Sequence, residues 1–261
     1  MYVNKKNILR TVLPEGTIIS RQWLELFQFN RHSIDNSIKS GQLQSVAKGI
    51  YTKNAALLRW QGIVFSLQNY FNSDIVPGGL TALELQGYAH YLPMSHNVQV
   101  HLYTSKPPPP WLNDVVPDAR FITHTNTELL GRSGKVADDE ILKPYTTTYT
   151  WREELKPIKI SSPERAILEV LSGVPKYNSF EHADELMQGM TALSPGPLQE
   201  LLEKCENIKV RRLFFWMADR HKYSWLKKLD RDKISLGSGN RMLVKGGRLD
   251  KKYKITVPRT I

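Results

Sequence analysis

The stretch FNRHSIDNSIKSGQLQSVAKGIYTK, residues 29–53, decides the fold of the N-terminal part of the chain. Within it, Ile34 and Ile38 stand four positions apart, which is the spacing of one buried helix face. Gly41 follows as a C-terminal stop, because glycine readily adopts the left-handed conformation that ends many helices. The runs QLQSV and GIYTK then alternate around a Lys-Gly pair, as in a short hairpin. The sequence therefore predicts a helix followed by two short strands.

The residues before this stretch predict two more helices and a short strand. Residues 4–12 place their apolar side chains on one helical face and are followed by Pro14. TIIS is β-prone and leads to Ser20, a serine N-cap for the helix predicted at SRQWLELF. The resulting order is helix, short strand, helix, tight turn, helix, hairpin. That order is typical of a winged helix-turn-helix.

The helix around Ile34 and Ile38 turns a polar face away from the core, and that face suits DNA recognition. Asn36 can pair bidentately with adenine, and Lys39 can bind guanine or phosphate. Each such residue alone also fits an ordinary solvated surface, so the prediction depends on the whole set in this element order. We expect DNA contacts from Arg21, Gln22, Arg31, His32, Ser33, Asn36, Lys39, Ser40, Lys48, Tyr51 and Lys53.

The net charge of +11 is unevenly distributed over the 261 residues. Residues 1–54 contain 8 Lys and Arg against 3 Asp and Glu, and residues 222–261 contain 12 against 3. The middle of the chain contains 16 against 19. Basic ends favour a polyanionic partner, because Lys and Arg release counterions from phosphates. A solvated basic surface is the alternative explanation.

Composition predicts a globular protein of the cytoplasm. Hydrophobic residues make up 41% of the chain, and no apolar run has the length of a signal peptide or a membrane span. We therefore expect no contact with a membrane. Cys205 is the single cysteine, which excludes an internal disulfide and a Cys-cluster metal site. Its helical surroundings offer no base, so a half-buried core thiol is expected.

The later part of the chain predicts a mixed domain. Helices at residues 58–71 and 78–93 are expected to support the winged unit, the second capped by Thr81 and closed by Pro93. NVQVHLYTS, ARFITHT, YTTTYTW and LKPIKIS are strand-like. The predicted fold class is α+β: a winged helix-turn-helix domain over residues 1–93, followed by a mixed α+β domain over residues 94–261.

One helix start in the second domain is unusually clear. In SSPERAILEVLSG, Ser162 is the N-cap, Pro163 takes the first position and Glu164 lies in the first turn. Further helices are predicted at SFEHADELMQGM, PGPLQELLEKC and KVRRLFFWMADRHK. The segment RMLVKGGRLDKKYKITV predicts a hairpin around its Gly-Gly pair.

Together, the winged unit with its GIY wing, SSPERAILEVLSG and GGRLDKKYKITVP resemble the AbiE-type antitoxin regulators, the AbiEi family of bacterial type IV toxin-antitoxin systems of abortive infection. The resemblance spans nearly the whole chain. It implies a repressor that binds double-stranded DNA at inverted repeats upstream of its own operon. It also implies a C-terminal domain that counteracts a cognate nucleotidyltransferase-like toxin. By this resemblance, residues 31–40 are the operator-reading helix and residues 49–53 the wing.

Two partner questions stay open at the level of sequence. One winged helix covers few base pairs, so a dimer or side-by-side binding on repeats is expected. A second basic surface in the C-terminal hairpin could contact phosphate, the toxin or the RNA substrate of the toxin. Its residues are Lys245, Arg248, Lys251, Lys252 and Lys254.

A metal-dependent nuclease of the PD-(D/E)xK kind is the enzymatic alternative. In such domains an Asp and a later Glu-x-Lys hold Mg²⁺ and support the attacking water. Asp118 and the string from Glu154 to Lys156 fit that pattern. Pro157 follows directly, however, which is untypical of the central strand that carries Glu-x-Lys. We therefore predict no catalytic residue, no metal and no cofactor.

An adaptor that binds protein alone is a third possibility. Its contact surface would be the apolar helix around LFFWMADRH. Four of the large apolar residues of that helix fit a buried core better. They are Leu213, Phe214, Trp216 and Met217.

Overall fold

The structure, a computed structural model, describes residues 9, 11–89, 98–115, 118–131 and 138–259. The chain divides into two compact units, each assembled from separated segments. Unit 1 comprises Met1–Val76, Pro93–Thr123 and Thr148–Lys159. Unit 2 comprises Pro77–Leu92, His124–Thr147 and Ile160–Ile261. Both helices and strands occur, so the predicted α+β class is confirmed.

The N-terminal part of unit 1 has the predicted order of elements from the first strand onward. The predicted first helix, residues 4–12, lies mostly outside the described residues. Strand β3 pairs antiparallel with both β1 and β2, which gives the sheet order β1-β3-β2. The elements are β1 (Ile19–Ser20), α1 (Arg21–Leu26), α2 (Arg31–Lys39), β2 (Gln44–Ala47) and β3 (Ile50–Thr52).

A small apolar core holds these elements together. Side chains from α1, α2 and the segments around them are almost fully buried in it, including Leu24, Phe29 and Ile34. Ile38 and Tyr51 pack against its edge. Burial of such side chains stabilises the unit by about 1.5–3 kcal/mol each. The expected buried face of α2 is therefore confirmed.

One helix and five strands follow the N-terminal sheet along the chain, and four of these strands have residues in both units. A Cβ on Gly62 would lie 1.8 Å from the carbonyl oxygen of Gly16, so this close backbone approach requires glycine at position 62. Strands β4, β5 and β6 form a three-stranded sheet in that order, and β7 pairs with β8. These elements are α3 (Trp60–Asn69), β4 (Val76–Pro77), β5 (Val98–Thr104), β6 (Ala119–Thr125), β7 (Thr146–Tyr149) and β8 (Ile158–Ser161).

Unit 2 is mainly helical, with a two-stranded hairpin near its end. One helix, α7, packs against α4, α5, α8, α9 and α10 and forms the centre of the unit. The short helices α5 and α6 have no counterpart in the sequence predictions. The elements are α4 (Gly79–Leu85), α5 (Thr127–Leu130), α6 (Asp138–Leu142), α7 (Pro163–Ser172), α8 (Phe180–Gly189), α9 (Pro195–Lys204), α10 (Ile208–His221), β9 (Arg248–Asp250) and β10 (Ile255–Val257).

Helix α7 carries a buried ion pair at the centre of unit 2. Arg165 Nε lies 2.6 Å from Glu169 Oε1, and both side chains are almost fully buried. The remaining guanidinium nitrogens donate to the backbone oxygen of Leu142 and the side-chain oxygen of Asn126. Removing one partner of such a pair leaves a buried charge uncompensated. The prediction that Ser162 is the N-cap of this helix is confirmed.

The start of α4 differs from the prediction. Gly78, not Thr81, occupies the N-cap position, and Thr81 is buried inside the helix. The physical reason is a partner from another helix, since Glu169 Oε2 accepts a hydrogen bond from the backbone N–H of Gly79 at 2.8 Å. A carboxylate supplied by α7 thus satisfies the helix end in place of a local cap. The helix belongs to unit 2.

The C-terminal hairpin is present, but the predicted position of its turn is wrong. Strands β9 and β10 pair antiparallel, and the turn occupies residues 251–254 instead of the Gly-Gly pair. The Asp250 carboxylate accepts a hydrogen bond from the backbone N–H of Tyr253 at 2.8 Å and stabilises this turn. Gly247 is required for packing, because a Cβ there would lie 2.3 Å from the carbonyl oxygen of Val257.

Candidate nucleic-acid interface

Two capped helices position the candidate interface in unit 1. Ser20 Oγ accepts a hydrogen bond from the backbone N–H of Trp23 at 3.0 Å, which confirms the predicted N-cap of α1. Asn30 Oδ1 accepts one from the backbone N–H of Ser33 at 2.9 Å and begins α2. Such caps stabilise a helix by about 1 kcal/mol and set where it begins. The start of α2 is therefore fixed by local chemistry.

The outer face of α2 presents a polar and basic surface. Arg31, His32, Asn36 and Lys39 are exposed, while Ile34 on the opposite side is buried. In the part of the chain that the structure describes, neither Arg31 nor Lys39 forms an ion pair. Exposed guanidinium, ammonium and amide groups can donate to phosphates and base edges. The geometry therefore leaves these side chains available to a ligand.

Three other residues of α2 and its C-cap do not fit the expected surface of hydrogen-bond donors. Asp35 is exposed, so the outer surface of the helix includes an acid. Ser33 is half-buried, and its hydroxyl donates to the backbone oxygen of Asn30 at 3.0 Å. The Ser40 hydroxyl is exposed but donates to the backbone oxygen of Ser37 at 3.2 Å. Both serines thus take part in local structure.

The β2–β3 hairpin lies beside the start of α1. Lys48 is exposed at its tip, next to Gly49, whose positive φ of 74° favours glycine. The backbone N–H of Arg21 donates to the carbonyl oxygen of Gly49 at 2.8 Å, and Gln22 is exposed one residue later. Tyr51 instead packs against the apolar core. The hairpin tip and the start of α1 are therefore neighbours.

Two of the expected phosphate-binding cations already have acidic partners. Arg21 Nε lies 2.8 Å from Glu25 Oε1, and both side chains are about half exposed. Lys53 Nζ lies 3.4 Å from Glu15 Oε1, and only 17% of the lysine side chain is exposed. Contact with a phosphate would have to compete with these carboxylates. Sequence spacing gives no sign of the pair between Lys53 and Glu15, because 38 residues separate them.

One residue of the second predicted basic surface, Lys252, is paired with an acid of α10. Asp219 of α10 receives hydrogen bonds from Arg231 at 2.5 Å, from Tyr253 at 2.5 Å and from Lys252. Burial alone would raise the pKa of Asp219, but these three donors outweigh it and hold the pKa below its ordinary range. Lys252 is therefore committed to α10. The other four residues of this surface are exposed and comprise Lys245, Arg248, Lys251 and Lys254.

Two adjacent arginines of α10 contribute to the formal charge without lying on the surface. Arg211 and Arg212 are both buried. Arg212 donates to backbone oxygens of Leu236 at 2.6 Å, Gly239 at 2.8 Å and Lys254 at 3.0 Å. Arg211 likewise donates only to backbone oxygens. These side chains organise the loop before the C-terminal hairpin, a role that the sequence analysis missed.

The nuclease pattern lies in irregular structure. Glu154 is exposed in a turn before β8 and forms an ion pair with Arg152. Asp118 lies 3.8 Å from the guanidinium of Arg59. Among the described residues, no three or more His, Cys, Asp or Glu side chains are arranged to hold a metal ion. Glu-x-Lys therefore lacks the strand context that the nuclease alternative requires.

The apolar residues of α10 form a core rather than an exposed contact surface. Leu213, Phe214, Trp216 and Met217 are all buried. This agrees with the sequence-based preference for a core and removes the surface that an adaptor would use. Cys205 is fully buried, and burial raises the pKa of its thiol to about 11. The expected half-buried thiol is thus more deeply enclosed and poorly reactive.

Comparison with known proteins assigns the class. A model described as "Transcriptional regulator, AbiEi antitoxin N-terminal domain" matches residues 3–94, and one described as "Transcriptional regulator, AbiEi antitoxin, Type IV TA system" matches residues 96–258. No curated protein matches the chain. The crystal structure of the RV2827C protein from Mycobacterium tuberculosis is similar, with a TM-score of 0.51 and 15% identity. That likeness covers 95% of this chain and 88% of the other, and it supports the fold alone.

These matches define a transcriptional regulator that is also the antitoxin of a type IV toxin-antitoxin system. The chain belongs to the AbiEi family, which confirms the family resemblance found in the sequence. Among the described residues, no helix combines the length and the apolar content needed to cross a membrane.

Proposed function

We propose that residues 1–93 form a winged helix-turn-helix domain that binds double-stranded DNA at inverted repeats upstream of its own operon and represses it. In this proposal α2 is the recognition helix and the β2–β3 hairpin is the wing. The observation that carries it is the exposed outer face of α2, with Arg31, Asn36 and Lys39 held opposite a buried Ile34. The element order β1-α1-α2-β2-β3 supports it.

The side chains divide into two roles in this proposal. Asn36 reads a base edge, because its amide can donate and accept at the same time. Arg31 and Lys48 contact phosphates, which position the protein and carry no sequence information. Lys39 can serve either role. Specificity is thus assigned to the middle of α2 and non-specific affinity to its first turn and the wing tip.

Two copies are expected on the operator. One recognition helix reaches only a few base pairs, whereas recognition in a genome requires a longer site. Inverted repeats supply two half-sites for two chains. The preferred spacing between half-sites is about one helical turn of DNA or a multiple of it. Changing that spacing by half a turn should weaken the binding of the second copy.

The antitoxin activity is assigned to residues 94–261, acting in the cytoplasm without catalysis, metal or cofactor. The family description supports an antitoxin of the type IV class. A toxin of the nucleotidyltransferase class is proposed from the resemblance of the sequence to AbiE-type regulators. Counteraction of the toxin need not involve direct contact between the two proteins.

Fluorescence anisotropy of the full chain tests the regulator proposal. The DNA is the duplex upstream of its own gene, with a scrambled duplex of equal length as control, over a series of salt concentrations. We expect binding that keeps its preference for the upstream duplex as salt rises, because base contacts depend less on counterion release than phosphate contacts do. Equal binding to both duplexes that disappears with salt would overturn it.

Growth assays test the antitoxin proposal separately. The chain is co-expressed with the nucleotidyltransferase-type toxin encoded beside it, both from promoters that the regulator does not control. Wild-type chain and the variant Asn36→Ala should restore growth equally, because the antitoxin activity is placed outside the recognition helix. Loss of rescue in Asn36→Ala would contradict that division of roles.

A further inference from the structure

Unit 2 contains a cleft of about 440 Å³ that the proposed function does not use. It lies where the end of α7 and the residues after it meet the start of α10. The residues that matter for its chemistry are Glu128, Lys176, Tyr177, Asn207, Lys209 and Met242. Clefts of this size are typical of small-ligand sites.

Lys209 supplies a cation that is attracted by the nearby carboxylate of Glu128 but forms no ion pair with it. Its ammonium group donates to the backbone oxygens of Ser172 at 2.5 Å and Val174 at 2.7 Å. Burial lowers the pKa of Lys209, and within the described residues it forms no ion pair. Two of its three hydrogens are therefore used, and one remains for an acceptor in the cleft. An anion there would offset the cost of burying the charge.

The acid that lines the cleft lies beside His124 and also attracts both lysines. The carboxylate of Glu128 lies 3.6 Å from His124 Nδ1. The interaction with His124 is the largest of the effects that lower the pKa of Glu128, which is therefore ionised at neutral pH. Asn207 donates to the backbone oxygen of the same residue at 2.7 Å. The charged residues of the lining are two lysines and one carboxylate, which leaves the lining with one net positive charge.

The cleft also offers surface for a planar group. Tyr177 is 49% exposed and Met242 is 74% exposed. The Lys176 ammonium lies 4.6 Å from the centre of the Tyr177 ring, and the His124 ring meets that ring edge-on. Aromatic and thioether groups favour contact with flat unsaturated rings. The volume exceeds that of a single phosphate ion, so the cleft has room for a ligand with a body as well as a charge.

We propose that this cleft binds a mononucleotide, with its phosphates on Lys176 and Lys209 and its base against Tyr177 and Met242. The site lies wholly in unit 2 and involves no residue of the proposed DNA interface. It gives the antitoxin a small-molecule ligand in addition to its proposed operator. The inference is independent of DNA binding, so either can fail without the other.

Isothermal titration calorimetry of the full chain tests the site. ATP, GTP, CTP and UTP are titrated separately without divalent metal. Inorganic phosphate is titrated as a fragment that has the charge of the nucleotide but lacks its base. We expect saturable binding of at least one nucleotide and binding of phosphate that is about tenfold weaker, since the base contacts are then lost. Lys176→Gln and Tyr177→Ala should each weaken the nucleotide by about tenfold.

Matched variants separate the cleft from general charge. Lys227→Gln removes an exposed lysine of unit 2 outside the cleft and should leave nucleotide binding unchanged. Lys209→Met should abolish binding. If that variant does not fold, Lys176→Gln and Tyr177→Ala decide the question, because both positions are exposed.

Three results would overturn the proposal. The first is the absence of saturable heat with any nucleotide at about 1 mM. The second is binding that Lys227→Gln reduces as much as Lys176→Gln does, which would indicate general attraction between charges. The third is phosphate binding as tightly as the nucleotides together with no effect of Tyr177→Ala, which would indicate an adventitious anion only.

Discussion

The two basic ends of the chain use their cations in different ways. Residues 1–54 place Arg31, Lys39 and Lys48 on exposed surface, and none of the three is in an ion pair among the described residues. Residues 222–261 have the larger excess of Lys and Arg, yet Arg231 and Lys252 converge on the single carboxylate of Asp219. The C-terminal segment therefore uses some of its cations to hold its own fold together. Formal charge overstates the free basic surface at both ends, because Arg21 and Lys53 of the first segment also have acidic partners.

The same difference extends to α10. Its Arg211 and Arg212 are buried and bind backbone oxygens, so they stabilise the fold and cannot reach a phosphate. The lesson is that a cation indicates a polyanionic partner only when its side chain is exposed and unpaired. Four substitutions test whether exposed cations differ from buried or paired ones in this way.

Arg212→Met should destabilise the protein by about 3–5 kcal/mol. The reason is that its loss leaves several partly buried backbone oxygens without a donor. Arg31→Met, at an exposed arginine, should change stability by less than about 0.5 kcal/mol. Urea unfolding followed by circular dichroism measures both. Equal losses would show that the two arginines do not differ in the way described.

Asp219→Asn should lower stability at neutral pH by about 2 kcal/mol, because three donors lose their charged acceptor. The folded-state pKa of Asp219 is depressed, so its contribution is present above the unfolded pKa of about 3.9 and disappears as pH falls below it. The stability difference between wild type and variant should therefore shrink on acidification. Asp232→Asn, at an exposed acid, is the control. A difference that stays constant down to acid pH would contradict this account.

Asn36→Ala should relax base preference at one operator position by about 1–3 kcal/mol. Lys48→Ala, at the wing tip, should instead weaken all sequences alike, since a phosphate contact carries no base information. Anisotropy with a panel of duplexes, each changed at one base pair, distinguishes the two patterns. Parallel losses on operator and scrambled DNA for both variants would refute the assignment of α2 as recognition helix.

Glu15→Gln should raise DNA affinity about two- to fivefold on every sequence. It removes the carboxylate that pairs with Lys53, and such partly exposed pairs are worth about 0.2–1 kcal/mol. The gain should shrink as salt rises, because salt screens both the pair and the phosphates. Glu153→Gln makes the same change of net charge in an exposed turn and should have no effect. An equal gain in both variants would mean that Lys53 does not contact DNA.

Local signals predicted most of the helices and strands correctly. The Ser20 and Ser162 caps, the four-residue spacing of Ile34 and Ile38 and the hairpin before Ile50 all depend on residues within one turn of each other. One error falls where a distant group takes part. Helix α4 begins at Gly79 because Glu169 of another helix accepts its N–H, and no cap within the local sequence indicates that.

The candidate interface shows the same limit. The outer face of α2 followed from helical periodicity, whereas the half-burial of Ser33 and the pairing of Lys53 did not. The ligand cleft of unit 2 had no sequence signal at all. Its residues come from α5, the end of α7, the start of α10 and the C-terminal segment, which lie far apart in the chain.

By itself, the sequence determined the element order from β1 to β3, the caps at Ser20 and Ser162, the buried side of α2 and the membership of the AbiEi family. Each of these depends on residue types at short fixed spacings or on a pattern along the whole chain. Only the tertiary structure decided which cations stay available to a ligand. The reason is that the partners of Arg212 lie 24–42 residues away and those of Lys53 and Lys252 lie 38 and 33 residues away. Folding alone brings such groups within hydrogen-bonding distance.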